Sequence, residues 1–125
     1  MTLQELLPLW AELAPDECTY GNDPNCSPDA DRPYYQVYRY DRLTWAGPRN
    51  ADYREGFYTD VIQGAVQQAI EERGWDWTIN SAHYTIYSYG AYVHRARGRD
   101  FGEGVEPVIA LLTAYLQALQ SEVKQ

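Results

Sequence analysis

The sequence predicts an α+β fold: a single antiparallel sheet of three to five strands packed with three helices, as an α/β/α sandwich. Three apolar stripes recur at helical spacing, and each needs a sheet or another helix to cover it. Between them lie runs of aromatic and β-branched residues that alternate at period two. The stretch from Phe57 to Gly98 holds both signals side by side, a helix followed by aromatic strands.

The first stripe is Leu3, Leu6, Leu7, Trp10, Leu13 and Ala14, with Thr2 and Glu5 spaced as a capping box. Pro8 removes a backbone donor, so it should kink this helix or delay its start to about Leu7. Pro15 ends it. Asp16 to Pro33 has no stripe and reads as a long loop, rich in Asp, Asn and Pro, with Cys18 and Cys26 near its two ends. Tyr34 to Tyr40 alternates as a strand, and Asp41-Arg42 can turn it into a short return, Leu43-Thr44-Trp45. Gly47-Pro48-Arg49-Asn50 breaks the pattern, and 51–56 reads equally as an extra helical turn or a loop.

The second stripe is Phe57, Val61, Ile62, Ala65, Val66, Ala69 and Ile70, with Gln63, Gln67, Gln68, Glu71 and Glu72 largely opposite. Thr59 or Asp60 can cap its start, Arg73 suits the negative end of its dipole, and Gly74 can stop it in the left-handed conformation. Trp75 is then placed to fold back onto the last turn. Trp75 to Ile79, Tyr84 to Tyr89 and Ala91 to His94 read as strands, with Asn80-Ser81 and Tyr89-Gly90 as the turns. Arg95 to Gly104 reads as a basic, glycine-rich connection. The third stripe is Val105, Val108, Ile109, Leu112, Tyr115, Leu116 and Leu119. Pro107 sits in its first turn, where the missing N–H costs little. Ser121 to Gln125 should fray. No repeat or boundary divides the 125 residues, which are expected to form a single domain.

At 45% hydrophobic and 22% charged residues the composition is that of a globular chain, neither disordered nor membrane-like. No apolar run approaches the roughly 18 residues of a membrane span. The first residues lack the basic and apolar regions of a signal peptide, so a cytoplasmic location is expected. The formal net charge of −8 argues against direct nucleic-acid binding, because phosphates would be repelled, and suits solubility or a basic partner surface. Twelve tyrosines and four tryptophans are too many to bury comfortably in one small domain. Some are expected on an exposed face, where tyrosine offers area with a polar tip.

No reactive constellation stands out. Cys18 and Cys26 read first as two ordinary thiols, next as a loop disulfide, and lack the further ligands of a zinc site. Asp23 to Ser27 begins like a calcium loop, but Pro28 stands where the sharp-turn glycine belongs and Tyr34 where the bidentate glutamate belongs. No metal and no cofactor is expected. His83 and His94 lie in strand regions without a nucleophile on a glycine elbow, so no enzymatic activity is expected. Arg95, Arg97 and Arg99 form the one concentrated positive patch, beside glycines that precede a helix N-terminus. They can pair the chain's own carboxylates or capture an anion.

The run Phe57-Tyr58-Thr59-Asp60, a helix, Glu72-Arg73-Gly74-Trp75-Asp76, paired strands and an alanine- and leucine-rich helix resembles the phage ABA sandwich domain family. The resemblance covers roughly Tyr34 to Leu119. The segment from Cys18 to Cys26 and the length around Ser81 to Tyr89 depart from that pattern. The resemblance implies α/β/α layers, a phage or prophage origin and a role against host defences; it carries no catalytic residue with it. The expectation is a non-enzymatic accessory protein, a monomer or small homo-oligomer, that binds a protein with a basic surface and inhibits a host defence or nucleic-acid-processing protein. Tyr34, Tyr38, Tyr40, Asp29 and Asp31 are the candidate contact residues. The alternative is a protein that binds or sequesters a small phosphorylated ligand such as a nucleotide through Arg95, Arg97 and Arg99.

Overall fold

The helix Pro107–Val123 is apolar almost all the way round, and ten of its residues are buried. A helix of that kind must be covered on more than one side. The computed structural model, which describes residues 3–22, 33–39, 42–48, 56–81 and 89–123, shows how. The order is α1 (Leu3–Leu13), β1 (Cys18–Asn22), β2 (Pro33–Arg39), β3 (Arg42–Pro48), α2 (Gly56–Glu72), β4 (Asp76–Ser81), β5 (Tyr89–Arg95), β6 (Gly98–Gly104) and α3 (Pro107–Val123). The described strands form two antiparallel sheets, β1-β2-β3 and β4-β5-β6. One side of α3 packs on the second sheet and the other on α1 and α2, which in turn meet the first sheet.

The chain is therefore α+β, with three helices and antiparallel strands among the described residues. The described strands divide into two sheets rather than joining in one. The physical reason lies in α3: with both sides apolar it takes a sheet on one and helices on the other, and those helices need a cover of their own. One buried cluster runs through these contacts, from Leu6, Leu7 and Trp10 through Ile62, Val66 and Ile70 to Leu111, Leu112 and Tyr115.

Several local expectations are corrected. α1 starts at Leu3, where the stripe and capping-box spacing put it, with Pro8 inside it, so the alternative of a start delayed to about Leu7 is what is corrected. Burial of Leu3, Leu6, Leu7 and Trp10 holds the helix through the missing hydrogen bond. The segment from Asp16 to Pro33 is not all loop, because β1 pairs with β2 from Cys18↔Val37 to Asn22↔Pro33. The helix α2 begins at Gly56, so Thr59 and Asp60 stand within it rather than at its cap. Gln68, expected opposite the apolar stripe, is 4% exposed. Asn80-Ser81 and Tyr89-Gly90 are strand residues of β4 and β5, not turns. Ser121 lies within α3, which continues to Val123.

The largest correction concerns Arg95 to Gly104. Most of it is not a connection but the strand β6, paired residue for residue with β5 from Tyr89↔Gly104 to Arg95↔Gly98. Its glycines do not mark a loop. A Cβ on Gly102 would fall on the backbone of Ala110 and Ala114, and one on Gly104 would meet Ile109 and the Ala110 nitrogen. These glycines let α3 settle directly on the strand.

The end of α2 follows the sequence closely. Gly74 has φ +77° and donates its N–H to the Glu71 carbonyl, while Trp75 donates to Ile70. Those two bonds make a Schellman stop. Trp75 then turns back against Tyr115, with ring centroids 6.3 Å apart. Residues 82–88, which include most of the expected strand Tyr84 to Tyr89, lie outside the described residues, as do 51–55.

Candidate binding surface

Alternation divides the second sheet into two faces. Ala91 and Val93 are buried on the side that meets α3. On the other side stand Thr78 from β4, Tyr92 and His94 from β5, and Arg99 and Phe101 from β6. They are brought together by the register pairs Thr78↔Tyr92, Tyr92↔Phe101 and His94↔Arg99. None of these five side chains is buried, and Phe101 is 39% exposed.

The five make one contiguous patch. The Tyr92 and Phe101 rings lie 4.9 Å apart and tilted, and the Tyr92 and His94 rings stack at 6.1 Å. The Arg99 guanidinium sits 4.7 Å above the Tyr92 ring, a cation–π contact. The hydroxyl of Thr78 is 3.1 Å from His94 Nε2. Gly90 completes the arrangement: the edge of the Phe101 ring fills the space a Cβ would take, at 3.1 Å. An aromatic ring laid over a strand glycine shields its bare backbone and fixes the ring. The patch is thus ordered before anything binds, which lowers the entropy cost of association.

Behind the sheet the charges are spent internally. Arg95 donates to Asp100 Oδ2 from Nε at 2.7 Å and to Glu122 Oε1 at 2.7 Å, and Ser121 donates to the other Asp100 oxygen at 3.3 Å. The Arg95 side chain is 8% exposed. These bonds tie the β5–β6 hairpin to the last turns of α3.

A second polar cluster joins three parts of the chain. Glu17, in the turn after α1, accepts the Trp10 indole N–H at 3.0 Å and the Tyr115 hydroxyl at 2.5 Å on one oxygen. Its other oxygen accepts Arg73 at 3.1 Å, and Arg73 Nε also donates to the Tyr115 oxygen at 2.8 Å. Burial, and then the Glu17 carboxylate, push the Tyr115 hydroxyl far above its ordinary pKa. The phenol is held as a donor. Next to Glu17 in the chain, Cys18 is a free, buried thiol, raised by burial and by Glu17 from 9.0 to about 12. A thiol held in its protonated form is a poor nucleophile.

The three arginines singled out in the sequence do not converge. Arg95 points to α3 and its carboxylates, Arg97 is exposed in the hairpin turn, and Arg99 lies on the outer face over Tyr92. Arg97 borders a shallow depression shared with Trp75, Ala96 and Glu122. Of the expected contact residues, Tyr38 is half-buried on β2 and its hydroxyl donates to Gln36 at 3.1 Å. Tyr34 is a β2 residue paired with Gly21 and Pro48. Tyr40, Asp29 and Asp31 lie outside the described residues, as do His83, Cys26 and the calcium-like run Asp23 to Ser27.

Sequence reading passed over Phe101 and did not place Tyr92 in a site. The signal was present as Arg99, Phe101 and Glu103 alternating with Gly98, Asp100, Gly102 and Gly104, a period-two pattern hidden by the glycines. Among the described residues no three His, Cys, Asp or Glu side chains are grouped to hold a metal ion. No described helix is long and apolar enough to cross a membrane. No protein-family model matches the chain, and no curated protein matches it.

Proposed function

We propose that this protein acts by binding another protein rather than by chemistry, as a phage or prophage accessory protein that inhibits a host defence or nucleic-acid-processing protein. The observation that carries the binding part is the ordered, solvent-facing patch of Tyr92, Phe101, His94 and Arg99. Tyrosine, phenylalanine and arginine are enriched in protein interfaces, and tyrosine and arginine are over-represented among the residues that dominate binding energy. The net charge of −8 favours a partner with a basic surface, such as one that handles nucleic acid, and speeds encounter with it. The phage assignment rests on the resemblance of 34–119 to the ABA sandwich family.

The test is capture from a bacterial host lysate with the whole chain as bait. The expected partner is a single basic protein, retained at low salt, released as salt rises, and lost with Tyr92→Ser and Phe101→Ser. Recovery of no partner at low salt, or retention by the double variant, sinks the reading.

A second reading, sequestration of a small phosphorylated ligand, is favoured by Arg99 lying over Tyr92, since such a pair offers a ring for a base and a cation for a phosphate. The pairing of Arg95 with Asp100 and Glu122 removes one cation from that scheme. Thermal-shift measurements against nucleotides decide it, and no stabilisation by any of them discards it.

A further inference from the structure

The two edges of the second sheet differ. Arg95↔Gly98 closes the β5–β6 hairpin around the two residues Ala96 and Arg97, which makes it a hydrogen-bonded pair. By alternation Gly98, Asp100, Gly102 and Gly104 bond to β5, and the backbone N–H and C=O groups of Arg99, Phe101 and Glu103 point away from the sheet. No other backbone or side-chain partner takes these groups among the described residues. On the opposite edge the same alternation turns Trp77 outward, and there the Asp76 carboxylate accepts its N–H at 2.8 Å. A carboxylate bonded to an edge N–H in this way occupies a donor that an added strand would need. Among the described residues the β4 edge is closed at that point and the β6 edge is open.

The open edge carries a charge pattern that reads the same in reverse with the sign inverted: Arg99, Phe101, Glu103. We infer that β6 pairs with β6 of a second copy of this chain, antiparallel about a two-fold axis at Phe101, to make a continuous six-stranded sheet. The register follows from the pattern. Phe101 stands opposite Phe101 of the other copy, in a hydrogen-bonded pair formed by the two outward-pointing backbones. Arg99 then stands opposite Glu103 in both symmetry-related places. Opposite charges directly across a ladder stabilise it, and like charges oppose it. Every residue of such an interface meets its own image or complement, as an isologous dimer requires.

The flank of α3 beside this edge suits a close copy. Thr113 is the side chain nearest Gly102, and Gln117 and Gln120 lie on the same side of the helix and are exposed. That stripe carries no charge, in a chain with a net charge of −8, so two such helices can approach without repulsion. Val105, 60% exposed at the end of β6, would be covered in the same contact. The inference does not depend on the proposed function. Arg99 and Phe101 belong to both the seam and the outer patch, so the dimer joins two copies of that patch side by side across the seam.

The test is sedimentation of the whole chain over a range of concentrations, with circular dichroism as the control for folding. Wild type is expected to sediment as a dimer of the 14.4 kDa chain. Arg99→Glu places two acidic residues across each pair, and Glu103→Arg places two arginines there. Each variant should weaken the dimer by roughly tenfold or more while remaining folded. Mixing the two variants restores both opposite-charge pairs, so the mixture should form a one-to-one heterodimer. The double variant R99E/E103R should form a homodimer again. A wild type that stays monomeric at every concentration overturns the inference, as does a dimer indifferent to these charges or a mixture of the two variants that fails to associate.

Discussion

Tyr115 holds more of this structure than any single contact suggests. Its ring packs edge-on against Trp10 and Trp75, its hydroxyl donates to Glu17, and its oxygen accepts from Arg73. Replacing it by phenylalanine keeps the rings in place and strips the bond from a carboxylate and a guanidinium that are partly out of water. Tyr115→Phe should cost about 1–3 kcal/mol in chemical denaturation. The proton on Tyr115 has a second consequence, shared with Cys18. Both groups have folded pKa values above their unfolded ones, so the folded chain keeps protons that the unfolded chain loses. Their contribution is complete below the unfolded values and declines as pH rises through the folded ones. Stability should begin to fall at about pH 9, as unfolded Cys18 ionises, and fall more steeply as unfolded tyrosine follows, each group weakening folding by about tenfold per pH unit. Urea midpoints measured from neutral to alkaline pH check this, and the slope should flatten in Cys18→Ala and Tyr115→Phe. The Cys18 thiol should also resist thiol reagents until the chain unfolds. The sequence named Arg73, Trp75 and Tyr115 as local features of their own helices. It had no way to show that Glu17, from a stretch read as a long loop, would meet all of them, because that meeting spans 98 residues between Glu17 and Tyr115.

At the scale of elements, β6 shows where residue pattern and residue type disagree. Three glycines in seven residues is poor strand chemistry by propensity, yet here Gly102 and Gly104 leave bare the part of the strand on which α3 rests. The strand is stabilised by its neighbours: β5 supplies the ladder, α3 covers one face, and Phe101 covers Gly90 on the other. Gly102→Ala should therefore cost about 1–3 kcal/mol by pushing α3 off the sheet, the usual cost of overpacking. Val105→Ala, at an exposed position just past the strand, should change monomer stability by less than about 0.5 kcal/mol. Thermal melts of the two variants separate the cases. Helices were the more legible elements, because each stripe reports its own period over several turns and Gly74 marks a stop with local chemistry alone. The strands β1 and β6 were not legible, because a strand completes its hydrogen bonds with residues elsewhere and Cys18–Asn22 and Gly98–Gly104 carry turn residues. Pro8 offers a further test at this scale. An interior proline costs a helix about 3 kcal/mol, and the burial around α1 absorbs that cost. Pro8→Ala should raise the melting temperature.

Across the whole molecule, α3 is the element that both sheets depend on, one by direct packing and the other through α1 and α2. This arrangement sets how the chain should unfold. Leu111 and Leu112 are both fully buried, on an element with little freedom to collapse around a missing side chain. Truncating either to alanine should cost about 2–5 kcal/mol. If α3 links the two halves, that loss is shared by both. Trp10 sits in α1, Trp45 in β3 and Trp77 on the second sheet, so fluorescence reports side-chain packing in both halves while circular dichroism reports their secondary structure. In Leu112→Ala the transitions seen by the two methods should shift together and remain coincident, as expected of one cooperative unit. Two separated transitions would mean that the sheets unfold independently and that α3 belongs to only one of them. The same experiment bears on the outer patch of Tyr92, His94, Arg99 and Phe101. A sheet anchored by a shared core keeps these side chains fixed relative to one another, whereas a sheet that opens on its own would have to reorder them each time a partner binds. Coincident transitions are therefore the expected result for a protein whose contact surface is built in advance.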